Sequence, residues 1–119
     1  MAYGRKISGG RYHKQRKSKK YELHNPERHT QLGETKTKQL RARGGHIKTI
    51  ILKTNVANVI VKGKAKQVKI TNVEETPANR FYARQNRLMK GALILTEAGK
   101  ARITNRPSQE GQVNAILVQ

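Results

Sequence analysis

Apolar residues are spread very unevenly along this 119-residue chain. Of the Ile, Leu and Val residues, Met1 to His46 holds only Ile7, Leu23, Leu32 and Leu40, whereas the remaining 73 residues hold 20. The first stretch shows neither a 3.6-residue nor a 2.0-residue hydrophobic period, so it predicts no packed element. Gly4, Gly9 and Gly10 interrupt any early helix, and Asn25-Pro26 marks a turn. Arg11 to Tyr21 predicts at most a turn or two of helix, opposed in free solution by like charges at i,i+4. Lys36 to Arg43 then leads into Gly44-Gly45, which predicts a flexible joint before a packed body.

From His46 onward the pattern predicts short strands. His46 to Thr54 is β-branched and half alternating, and Asn58 to Lys62 is short and apolar, with Gly63-Lys64 as a turn. Gln67 to Val73 alternates, with Val68 and Ile70 on one face and Lys69 and Thr71 on the other. Gly91 to Thr96, Ala101 to Thr104 and Val113 to Val118 complete six runs, separated by turns at Glu97-Ala98-Gly99-Lys100 and a loop at Arg106 to Gly111. One helix stands apart: Thr76 as cap, Pro77 at the first helical position, Ala78 to Arg87 as body, and Phe81 and Tyr82 as anchors on the sheet.

Six short strands in so few residues must hide their edges, which argues for closure. The predicted fold class is all-β: a small barrel of about six short strands with one short helix, preceded by an extended basic N-terminal tail. The division is residues 1–45 as a basic extension and 46–119 as a β-barrel body.

Charge adds a partner class. The chain carries 26 Lys and Arg against seven Glu and no Asp, a formal net charge of +19. Residues 1–46 hold 13 basic and three acidic side chains, so the remainder is basic as well. Such self-repulsion disfavours a compact free state and favours one bound to a polyanion. Cysteine is absent, which excludes disulfides and thiol chemistry. No apolar run approaches the roughly 18 residues of a membrane span, no apolar segment follows the basic start, and the aliphatic face of an interfacial helix is missing. A soluble, intracellular protein is expected.

Catalytic material is sparse. His13, His24, His29 and His46 have no metal-ligand spacing and no Cys or Asp beside them. Glu74-Glu75 is the only adjacent carboxylate pair, and Gly63-Lys64 and Gly99-Lys100 lack the rest of a phosphate-binding loop. No enzyme activity, metal, cofactor or small-molecule substrate is expected.

Nucleic-acid chemistry is better supplied. Tyr3, Tyr12, His13 and Tyr21 are interleaved with Arg5, Lys6, Arg11, Lys14, Arg16, Lys17, Lys19 and Lys20. Cations of this kind neutralise phosphates, and flat rings stack on unpaired bases. Arg41, Arg43, Gly44 and Gly45 extend the scheme, and Arg80, Arg84 and Arg87 fall at spacings of four and three, on one face of the predicted helix. Arg102, Arg106 and the Pro107-Gly111 loop are weaker candidates. The aromatics suit structured RNA better than duplex DNA, which leaves a chromatin-like DNA compactor as the main rival and a small RNA-modifying enzyme as a remote one.

The stretches SGGRYHKQRKSKKYEL, RARGG before a strand, ETPANRFYARQNR and KGALILTEAGKARITNRPSQEGQVNAILVQ resemble, nearly end to end, the archaeal and eukaryotic small-subunit ribosomal protein family usually numbered eight, eukaryotic type. The resemblance implies a structural ribosomal protein with a β-barrel body and a basic extension embedded in small-subunit rRNA, beside neighbouring ribosomal proteins. It also implies that Arg11 to Lys20 and Arg41 to Gly45 touch RNA. The chain lacks the eukaryotic members' long insertion and cysteines, and so looks archaeal. A ribosome-biogenesis factor of the same family, which shares the C-terminal body, is the alternative the resemblance leaves open.

Overall fold

The computed structural model describes residues 3–118; Met1, Ala2 and Gln119, which end the two expected regions, lie outside it. The described residues form eight strands and one helix: β1 Gln31–Leu32, β2 Lys36–Arg41, β3 Ile47–Thr54, β4 Val56–Val61, β5 Lys64–Glu75, α1 Arg80–Arg84, β6 Leu93–Thr96, β7 Gly99–Ile103 and β8 Asn114–Leu117. Strands β4 to β8 close a barrel in chain order, and β1, β3 and β2 form a separate three-stranded sheet. The expected all-β barrel with one short helix is present, with five strands in the barrel. The first expected run, His46 to Thr54, forms β3 and lies in the second sheet.

Alternation builds the barrel core. Ala57 and Val59 on β4, Ile94 on β6, Ala101 and Ile103 on β7 and Ala115 on β8 are buried at every second position. On β5 the period breaks: Ile70 and Val73 are both buried although three residues apart. Register shifts beside Ile70 and Val73 mark bulges, which turn the strand so that both side chains reach the interior. Closure comes from β4 lying parallel to β8, with Val59 opposite Ala115 and Ile60 opposite Ile116. Each strand of the closed sheet thus has two neighbours, and no barrel edge is bare.

Gly44-Gly45 is not a joint. Strand β2 pairs antiparallel with β3, Arg41 opposite Ile47, and the two glycines sit in the turn between them. Both have φ near +75°, which only glycine adopts without strain, and Ala42 N–H donates to the His46 carbonyl at 2.7 Å to close the loop. Ordered packing begins earlier, at Thr30, which is buried and donates its Oγ1 hydrogen to the Ile51 carbonyl at 2.8 Å.

The helix is shorter than expected. Thr76 does not cap it; Asn79 does, its side-chain oxygen accepting from Phe81 N–H at 3.0 Å. The far end closes with Asn86 in the left-handed region at φ +52°. There Asn86 N–H donates to Ala83 and Arg87 N–H to Tyr82, both at 3.1 Å, the paired bonds of a Schellman turn. Phe81 is half exposed rather than anchoring; Ala83 packs against the barrel core.

The extension lies largely off the packed part. The Cα radius of gyration is 21.2 Å, against about 13–14 Å for a compact chain of this length, and the long axis is 71 Å.

Candidate RNA-binding surface

The extension carries two small ordered features. Arg5 and Arg11 bridge across a tight turn in which Lys6 N–H donates to the Gly10 carbonyl at 2.7 Å, and Gly9, at φ +83°, permits the reversal. The turn sets Tyr3 and Tyr12 beside the two arginines around a shallow depression. Further on, Arg16 grips Glu22 with both terminal nitrogens, at 2.9 and 2.5 Å, while Lys19 N–H donates to the same carboxylate at 3.0 Å. The Arg16 guanidinium first, and the Lys19 amide second, hold the Glu22 pKa below its ordinary 4.5. A 3₁₀ turn over Lys20–Glu22 is thereby fixed in a segment with no hydrophobic reason to fold. Arg16 is consequently paired, whereas His13, Lys14, Lys17 and Lys20 are exposed.

The aromatic rings are not bare. Lys6 lies 5.8 Å from the Tyr12 ring centroid and Lys19 6.0 Å from that of Tyr21, near the outer limit for cation–π attraction.

The body adds two projecting hairpins. Arg41 and Arg43 stand at the β2–β3 tip beside Gly44, Gly45 and the exposed Ile47. The β4–β5 hairpin turns through Lys62 and Gly63, both with positive φ, and presents Lys62, Lys64 and Lys66 as exposed cations. This lysine tip was not among the sequence candidates. Lysines at every second position after a Lys-Gly turn are its visible signal.

Arg80, Arg84 and Arg87 do not share one face. The helix ends before Arg87, and the Schellman turn folds that residue back: its guanidinium lies 4.2 Å from the Tyr82 ring centroid and one terminal nitrogen donates to His29 Nδ1 at 3.1 Å. With Nδ1 accepting, the His29 proton sits on Nε2, which faces Glu27 at 3.1 Å. Arg87 is therefore a fastener between the extension and the body. Arg80 and Arg84 remain exposed, with Arg80 packed 5.0 Å from the Phe81 ring.

The fold also brings in Arg28, Lys48 and Lys90, which sequence patterns did not single out. Arg28, His29, Arg106, Lys90 and Ser108 line one recess, and Arg28, His29, Arg41, Lys48, Tyr82 and Gln109 line a larger cleft beside it. They come from five separated stretches, so no local motif joins them.

Matched against known protein families, residues 2–118 fit the family model described as ribosomal protein S8e. The chain belongs to that family. Among curated members it is 44% identical over 117 residues to the small ribosomal subunit protein eS8 of Methanocorpusculum labreanum, covering 97% of this chain and 94% of that one. It is 46% identical over 116 residues to eS8 of Methanocella arvoryzae, covering 96% and 93% of the two chains. For eS8 of Sulfolobus acidocaldarius the identity is 44% over 118 residues, with coverage of 97% and 92%. The matches span the extension as well as the barrel.

Proposed function

We propose that this S8e-family chain is a structural constituent of the small ribosomal subunit, holding rRNA through its extension and through the cationic hairpins of its body. The observation that carries this is end-to-end likeness to proteins named as small-subunit constituents, in a chain whose most basic segment stands clear of the core. The mechanism is neutralisation. Arg5, Lys6, Arg11, Lys14, Lys17 and Lys20 lower the repulsion between phosphate backbones brought close together, while Tyr12, His13 and Tyr21 offer rings to unpaired bases. The folded body fixes where the extension leaves the protein, so its charge is delivered in one direction. The role is structural rather than catalytic, it is cytoplasmic, and it implies neighbouring ribosomal proteins as well as RNA. No helix among the described residues is long and apolar enough to cross a membrane.

A salt titration against small-subunit rRNA tests the reading. Ten neutralised phosphates give a log–log slope of about −7 to −9, and removing residues 3–26 should reduce it by more than half. Affinity unchanged between about 50 and 200 mM salt would overturn neutralisation as the mechanism. Equal affinity for duplex DNA would favour the DNA-compacting alternative.

A further inference from the structure

One cleft among the described residues combines cations with an apolar wall, which neutralisation alone does not require. It lies between residues 25–29, the β2–β3 hairpin, α1 and the loop at 106–111, and measures about 620 Å³. That is within the roughly 300–1,000 Å³ range of small-ligand sites. We propose that it receives a single unpaired nucleotide of the bound RNA, its base against His29, Tyr82, Met89 and Leu40 and its phosphate among Arg28, Arg41 and Lys48. The inference rests on the RNA-binding reading and adds a site of base recognition to it.

Three features of the lining select this occupant. Arg28, Arg41 and Lys48 supply positive charge, and the one carboxylate present, Glu27, already faces His29 Nε2 at 3.1 Å. A phosphate alone needs no apolar wall, yet Leu40, Met89 and Tyr82 form one. Asn25, Ser108 and Gln109 add donors and acceptors of the kind that read the edge of a splayed-out base. An acidic peptide would use the cations but leave the ring and thioether wall without a flat partner.

The walls are also held in advance, which reduces the ordering cost of binding. Arg87 covers Tyr82 at 4.2 Å, and His29 leans on the same ring at 5.8 Å between centroids. Lys48 Nζ donates to Gln109 Oε1, tying the hairpin to the loop. Lys48 and Leu40 are cross-strand partners, so cation and apolar contact sit at one level of the hairpin.

The test uses the full chain and a short single-stranded RNA carrying one 2-aminopurine, with anisotropy and 2-aminopurine fluorescence read on the same sample. Leu40→Glu sets a carboxylate in the cleft from a half-buried hairpin position outside the barrel core; Leu40→Met keeps it apolar. For the native chain and Leu40→Met, fluorescence should fall about twofold or more at saturation, as a stacked base requires. Leu40→Glu should bind by anisotropy yet lose most of that fall. Equal quenching in Leu40→Glu, or saturating anisotropy without quenching in the native chain, overturns the cleft. Displacement of the quenched base by polyglutamate at lower concentration than by unlabelled RNA overturns it in favour of a peptide site. No anisotropy change with the native chain would instead remove the RNA-binding reading on which it rests.

Discussion

Replacing Arg87 with methionine should loosen the junction between extension and barrel while leaving the barrel folded. Met keeps much of the aliphatic stem but removes the bond to His29 Nδ1 and the guanidinium 4.2 Å from the Tyr82 ring. A charged hydrogen bond at a half-buried site contributes about 1.5 kcal/mol, and the cation–π contact about 1 kcal/mol. Part of this is returned, because Arg87 Nε is buried without a partner among the described residues and its removal recovers about 1 kcal/mol of desolvation. The net loss is about 1.5 kcal/mol, close to a tenfold change in the local opening equilibrium. Two amides report on that opening directly: Leu88 N–H donates to the Thr30 carbonyl at 2.8 Å and Leu32 N–H to Asn86 at 2.9 Å. Native-state hydrogen exchange should show both roughly tenfold faster in Arg87→Met, with the Ile103 and Ile70 amides of the barrel unchanged. Unchanged exchange at Leu32 and Leu88 would refute the fastening role, and equal acceleration throughout the barrel would show a global rather than a junctional effect.

Two further outcomes are expected. Glu22 has a depressed folded pKa, so its contribution to the turn is present above the ordinary 4.5 and is lost as pH falls through the lower folded value. A carboxyl-carbon NMR titration of Glu22 should therefore give a midpoint below 4.5, and Arg16→Gln should move it back up. In the barrel, Ile94 is fully buried, and Ile94→Ala should cost about 2–5 kcal/mol, enough to shift the urea midpoint strongly or unfold the free chain. A near-native midpoint would mean that the barrel core is not what stabilises the molecule.

The recurrence of alternating strands was readable because burial on one face leaves a two-residue period. Val59, Ile94, Ile103 and Ala115 carry that period without interruption. Strand β2 left no such trace. In KTKQLR only Leu40 is apolar, and the strand exists because β3 offers it a ladder, not because it buries a face. The Gly44-Gly45 turn between two extended runs was its one local sign, and it fits a joint as well as a hairpin. Of the nucleic-acid candidates, the cations of the extension were legible from charge alone. Arg87 was misplaced because a helix continued through it gives a shared face, whereas Asn86 in the left-handed region ends the helix first.

Sequence by itself therefore determined the all-β barrel and the strong positive charge of the N-terminal stretch, since charge and alternation are properties of neighbouring residues. Tertiary structure alone decided the parallel closure of β4 on β8, the hairpin origin of Arg41 and Arg43, the inward turn of Arg87 and the cleft beside it. Each of these depends on contacts between stretches far apart in the chain. Leu40, Lys48, Tyr82 and Gln109 share no spacing or motif, and only the packed fold brings them to one wall.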